Sequence, residues 1–339
     1  MKEAEIIACV LPHLEKEAAD ARVEIRSLRR MTGGSVREIW AFDAVVSRPG
    51  IESERWPLVF LVFRTEGPEG KLAPEHEFKL VETAHAAGVP VPRPICLGSA
   101  PSGEPFYLME RIAGETIGSR IVRGERYAEA RRRLPAQIAR AAAAIHRVPI
   151  GGDLDFLAAP PEGRSPAAWE IARIEELYRL VTPDPHPVFE IAFRWLGNNL
   201  PSGSPRALVH GDFRIGNVIV DESGLRAVLD WELAHLGDPM EDLGWLCVRS
   251  WRFRADRLPV GGVGKREALF EAYAEACGAP IDPERVHFWE IFGNLRWGVL
   301  TIVQARFFLG GASNSVELAS IGRRTAETEW ELLNLLEKT

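Results

Sequence analysis

Ala207-Leu-Val-His210-Gly-Asp212-Phe-Arg-Ile-Gly-Asn217-Val-Ile-Val-Asp-Glu-Ser-Gly-Leu-Arg-Ala-Val-Leu-Asp230-Trp-Glu232 is the stretch that decides the fold. Two short apolar runs, 207–209 and 218–220, flank a loop that carries Asp212 and, five residues on, Asn217. The cluster Asp221-Glu-Ser-Gly224 predicts a turn, so residues 225–229 should run back as the second arm of a hairpin. That hairpin would return Asp230 to the neighbourhood of Asn217. A carboxylate, an amide oxygen and a second carboxylate would then share one centre.

Such a trio has a specific use. Magnesium prefers hard oxygen ligands, takes one or two from protein, and fills its shell with water and substrate phosphates. Asn217 and Asp230 suit that role. Asp212 is left to accept a hydrogen bond from an incoming hydroxyl and align it with a terminal phosphoryl group.

The wording continues through Gly237-Asp238-Pro239 and Asp242-Leu243. Together with His210-Gly211-Asp212, Asn217 and Leu229-Asp230-Trp231-Glu232, it resembles the aminoglycoside phosphotransferase family, and most closely the branch found fused to acyl-CoA dehydrogenase domains. The resemblance implies an α+β, protein-kinase-like fold in two lobes. These would be a small antiparallel-sheet N-lobe (1–109), a hinge (110–114) and a mostly helical C-lobe (115–339). It also implies ATP or GTP as donor, Mg2+ as cofactor and Asp212 as catalytic base, with Asp238 and Asp242 holding the loop in shape. His210 fits a loop-fixing role better than a catalytic one, because a hydroxyl acceptor needs only a nearby carboxylate.

Composition narrows the field. At 339 residues with 46% hydrophobic and 26% charged side chains, the chain can bury a sizeable core. A net charge of −7 argues against a broad nucleic-acid surface. Arg131-Arg132-Arg133, the one basic cluster, reads as a solvated helix face. No run approaches the roughly 18 apolar residues of a membrane span. The first residues do not resemble a secretory leader, so residence in the cytoplasm is expected. Cys9, Cys96, Cys247 and Cys277 lack metal-ligand or redox spacing and are expected to stay reduced. Neither a serine-hydrolase elbow nor the closely spaced ligands of a metallohydrolase is found.

Upstream, the periodicity predicts a helix over 4–17 and strands over 23–28 and 36–46, with Gly33-Gly34-Ser35 between the strands. Glycines there would let backbone N–H groups close over phosphates. The apolar run 58–63 reads as a buried strand delivering Arg64. By the resemblance, Arg64 stands where the family usually has a phosphate-binding lysine, with Glu77 as its partner. Arginine keeps its charge and can fork across phosphate oxygens, and the chain favours it, with 35 Arg to 6 Lys. Lys71 and Lys79 are the alternatives. Pro74 and Gly88 bracket a helix, and strands are expected at 95–97 and 106–109. The resemblance then places the nucleotide base against the Glu110 carbonyl and the Ile112 N–H, with Met109 behind it.

Helices are expected at 127–148, 166–180, 187–200, 264–277, 283–309 and 315–337. Trp169, Glu170, Glu175 and Glu176 are candidate lining groups for the acceptor. That acceptor is a small hydroxylated molecule, aminoglycoside-like or hydroxyacyl-CoA-like. The alternative is a catalytically silent kinase-like protein that binds a nucleotide or metabolite, a reading favoured by Arg64 in place of lysine.

Overall fold

A computed structural model describes residues 2–19, 21–31, 37–63, 71–182, 185–203 and 206–337. The chain forms two compact units. The first comprises Met1–Gly114 with 149–156 and 226–233, and the second comprises the rest.

In the first unit, α1 (Glu3–Glu17), β1 (Arg22–Arg30), β2 (Arg37–Ser47), β3 (Glu54–Phe63), α2 (Pro74–Ala86), β4 (Pro94–Ser99) and β5 (Pro105–Glu110) follow one another. The strands form one antiparallel sheet in the order β1-β2-β3-β5-β4. Side chains alternate across a strand, so the unbroken apolar run of β3 serves both faces. Leu58, Phe60 and Val62 join Phe42, Phe106 and Leu108 and meet Ile6, Val10 and Leu14 of α1. Leu61 and Phe63 turn the other way, to Tyr107 and to Phe78 of α2. A Cβ at Gly98 would come within 2.5 Å of the Phe106 ring, so only glycine fits there.

The second unit contains α3 (Gly118–Arg123), α4 (Ala128–His146), α5 (Pro166–Val181), α6 (Pro187–Asn198), β6 (Ala207–Val209), β7 (Val218–Asp221), β8 (Gly224–Val228), β9 (His235–Gly237), α7 (Met240–Cys247), α8 (Arg266–Cys277), α9 (Pro283–Leu309), α10 (Val316–Gly322) and α11 (Thr325–Leu336). β6 pairs antiparallel with β9, and β7 pairs with β8, the strand in which the chain passes from the second unit to the first. Helix α9 is buried all round from Phe288 to Val299, with Glu290, Asn294 and Arg296 among its buried side chains. It contacts α5, α6, α7, α10 and α11. Gly244 of α7 sits against its backbone, where a Cβ would lie 2.5 Å from the Trp289 carbonyl carbon.

The single helix expected over 315–337 is two. The chain breaks after Gly322, where a Cβ would meet that of Ala305 at 2.5 Å, and Thr325 bonds back to the Gly322 carbonyl at 2.9 Å. The break lets both halves lie on α9. The other expected helices and strands are present to within a few residues at their ends. No helix among the described residues is long and apolar enough to cross a membrane, and all four cysteines are free thiols.

Candidate active site

The loop after β6 is fixed from beneath by one carboxylate. Asp242, fully buried in α7, accepts the main-chain N–H groups of His210 at 2.8 Å and Gly211 at 3.0 Å. Its Oδ2 also meets Nε2 of His146 at 3.1 Å, and His146 in turn bonds the Tyr273 hydroxyl at 2.7 Å. Burial would raise the Asp242 carboxyl, but the His146 bond, nearby His210 and the loop N–H groups hold it below its ordinary value. The buried His210 ring accepts the Asp212 N–H at 3.2 Å. Asp238 caps α7 by taking the Met240 N–H at 3.0 Å and ties to Arg285 at 2.8 Å and Trp289 at 2.9 Å.

On this support Asp212 keeps 16% of its side chain exposed. Three donors fix it: Arg214 Nε at 3.0 and 3.2 Å, Asn217 Nδ2 at 2.6 Å and Trp245 Nε1 at 2.7 Å. The sequence-predicted pair Asp212 and Asn217 is thus in direct contact. Asn217 also donates to the Asp212 carbonyl at 3.0 Å. With its NH2 so used, the amide oxygen is the atom Asn217 has to offer a ligand. Arg214 and Trp245 are site residues that sequence reasoning missed. Arg214 sits inside the decisive stretch, but its contact with Asp212 is a matter of loop geometry.

In the first unit the described candidates gather around Arg37. Arg37, at the start of β2, forks onto buried Glu77 at 3.0 and 3.1 Å, bonds Glu232 at 2.8 Å, and lies 3.5 Å from Asp230. Lys71 meets Glu232 at 2.5 Å. Burial pushes the Glu77 carboxyl up to about 7; Arg37 opposes the rise, and Asp230 and Glu232 add to it. Burial works against Arg37's charge, yet the carboxylates around it raise its pKa. Asp230 adopts a left-handed backbone, φ 68°, which is strained for a non-glycine residue and leaves its carboxylate 38% exposed.

Sequence reading gave roles to Glu77 and Asp230 but none to Arg37 or Glu232. A charged residue opening an apolar strand was the available sign. Arg64 and Gly33-Gly34-Ser35 lie outside the described residues, so the described partner of Glu77 is Arg37. Met109 packs with Leu61, Phe63, Phe78 and Tyr107. Glu110 ends β5 opposite Leu58, and Ile112 is half-buried just beyond. Lys79 pairs with exposed Asp153 at 2.8 Å.

Glu170, Glu241 and His235 gather three potential metal-ligating atoms within 4.8 Å of one another. Arg173 at 2.7 Å and Arg296 at 3.3 Å already balance the two carboxylates. Glu170 is therefore part of an internal ion network.

A five-stranded antiparallel sheet with its helices, and a helical unit bearing an Asp-Asn loop, make up the α+β fold of aminoglycoside phosphotransferases and related kinases. The structure superimposes on a Ralstonia eutropha JMP134 protein solved as a candidate aminoglycoside phosphotransferase, with a TM-score of 0.71 and 24% identity over 95% of this chain and 97% of the other. It also superimposes on a Plasmodium vivax ethanolamine kinase, with a TM-score of 0.61 and 13% identity over 96% and 87%. Residues 50–289 match the model of the phosphotransferase enzyme family, and the chain belongs to that family. Among curated proteins it is 30% identical over 297 residues to acyl-CoA dehydrogenase family member 10 of Mus musculus, and 28% identical over 293 residues to family member 11 of Homo sapiens. These matches cover 80% and 78% of this chain but only 27% and 36% of those proteins.

Proposed function

We propose that the chain transfers the terminal phosphoryl group of ATP or GTP to a hydroxyl of a small molecule, in the cytoplasm, with Asp212 as the base. One observation carries this reading: a single carboxylate, held by three donors on a loop anchored by a buried aspartate, still reaches solvent.

In the proposed step the acceptor oxygen attacks the terminal phosphorus, the bond from that phosphorus to the leaving nucleoside diphosphate breaks, and the hydroxyl proton passes to Asp212. Asn217 and Trp245 keep the carboxylate aimed, and that positioning is where most of the acceleration in phosphoryl transfer arises. Arg214, 3.0 Å from Asp212, places a permanent positive charge where the transferring group gathers negative charge.

The Asn217 amide oxygen and the Asp230 carboxylate are the hard donors that would hold Mg2+, a set that suits it. When bound, the ion would neutralise phosphate charge. Arg37, 3.5 Å from Asp230, would order it. Gly33, Gly34 and Ser35 would close over the phosphates, and Arg64 would neutralise them. Glu110 and Ile112 main-chain groups would bond the base, with Met109 against it.

The test is Asp212→Ala, assayed with a panel of hydroxylated metabolites for ATP-dependent mass gain of one phosphoryl group. Turnover should vanish while nucleotide-dependent thermal stabilisation persists. Near-normal transfer by the variant would remove Asp212 as the base. Nucleotide binding with no transfer by the wild-type chain to any acceptor would favour a silent kinase-like binder.

A further inference from the structure

The second unit contains an open cavity of about 820 Å3, within the usual range for small-molecule sites. Four guanidiniums line it: Arg123 from the end of α3, Arg249 and Arg254 from the segment after α7, and Arg324 just before α11. Asp256 and Glu327 are the lining carboxylates, so the wall carries four positive charges against two negative. Arg249 bonds Asp256 at 2.9 Å and Arg324 bonds Glu327 at 3.2 Å. Arg123 and Arg254 have no carboxylate partner among the described residues. Two charges are therefore left for a ligand.

The wall also offers flat apolar surface. Trp330 is 54% exposed, with Arg249 stacked 4.3 Å over its ring, and Phe253 also lines the space. Phe253 and Arg254 are consecutive non-glycine residues with left-handed backbones, φ 46° and 73°. Each such residue costs on the order of 1 kcal/mol or more, and such strain clusters at binding sites. The Phe253 ring packs on Gly118, where a Cβ would come within 2.5 Å of it.

The cavity wall is linked to the Asp212 loop through one aromatic contact. Arg214, bonded to Asp212, lies 4.8 Å over the ring of Trp251. Trp251 belongs to the same short helical turn, Arg249–Arg252, that supplies Arg249 and Ser250 to the cavity wall.

We propose that this cavity selects the acceptor, and that the acceptor is an anion: a hydroxylated small molecule bearing a carboxylate or phosphate on an aromatic or acyl body. The assignment of the occupant as acceptor rests on the phosphotransferase reading above; the anion site itself does not. Polyamine-like sugars, whose ammonium groups would meet an excess of two positive charges, are disfavoured there.

The full chain tests it by calorimetry with 1-naphthyl phosphate, 1-naphthoate and uncharged 1-naphthol. One or both anions should bind at least tenfold more tightly than naphthol, and which one does separates phosphate from carboxylate. Arg254→Ala, Arg123→Ala and Trp330→Ala should each weaken that binding severalfold to tenfold, Arg254→Lys should restore most of it, and melting temperatures should hold. Equal binding of all three probes, or anion affinity indifferent to the arginine variants, would overturn the site.

In the assay with ATP and Mg2+, hydroxy acids should be phosphorylated in preference to their methyl esters. Arg254→Ala should raise the acceptor KM about tenfold and leave the KM for ATP unchanged. Anion binding that still depends on Arg254, without transfer to any acceptor, would keep the site and remove the kinase reading. Transfer to neutral acceptors, unaffected by Arg254→Ala, would do the reverse.

Discussion

The two units are organised around opposite charge designs. In the first, a cation is ringed by acids: Arg37 faces Glu77, Asp230 and Glu232, and Lys71 joins at Glu232. Two positive charges face three carboxyls, and a full negative charge is left over only once pH exceeds the Glu77 value of about 7. In the second, an acid is ringed by donors: Asp212 receives Arg214, Asn217 and Trp245, and the Asp212–Arg214 pair is neutral. On the proposed function, a centre with surplus negative charge would take up a further cation. A neutral centre becomes positive when its carboxylate accepts a proton, which is the charge wanted beside a departing phosphoryl group.

The largest effect expected from breaking this contrast is on rate. Asp212→Asn keeps the shape and removes the proton acceptor, so kcat should fall by about 100- to 10,000-fold, the usual worth of a positioned base. The nucleotide-induced shift in melting temperature should persist. A loss of less than tenfold in a steady-state assay would make Asp212 a loop residue only.

Removing the first unit's centre should cost stability instead. Arg37→Ala leaves Glu77 buried beside two other acids, a loss of about 3–5 kcal/mol in urea unfolding near neutral pH. The loss should shrink in acid, where the carboxylates take up protons.

Glu77 itself sharpens the comparison through pH. Its folded value, about 7, lies above its ordinary 4.5. The carboxyl thus favours the fold while protonated, with that stability complete below the lower value and lost as pH rises through the upper one. The wild-type chain should lose up to about 3 kcal/mol across this window, and Glu77→Gln should remove most of that slope. Parallel curves for the two chains in pH-stepped denaturation would contradict the assignment.

Asp242→Asn, the smallest of the four, replaces one acceptor oxygen with a donor beneath the reactive loop. It should cost about 2 kcal/mol. Its signature is a lower kcat with nucleotide affinity unchanged.

Sequence made the scaffold readable where one residue type does the physical work. Pro74 and Gly88 bracket α2, and Leu58–Phe63 announced a strand covered on both faces. The turn Asp221–Gly224 produced the hairpin of β7 and β8. The Asp212–Asn217 contact followed from spacing within one loop. What stayed hidden depends on residues far apart in the chain. Arg37 reaches Glu232, 195 positions away, and Trp245 reaches Asp212 across 33. Helix α3, at six residues, is too short for periodicity to register, and the break at Gly322 lies where the chain packs closely on Ala305.

Asp242 links α4, through His146, to the peptide groups of His210 and Gly211. Both amides are bonded to a fully buried carboxylate, so their exchange requires breaking that anchor. Their deuterium uptake should therefore be as slow as that of the protein's most protected core amides, and heat should end catalysis and helicity at the same temperature.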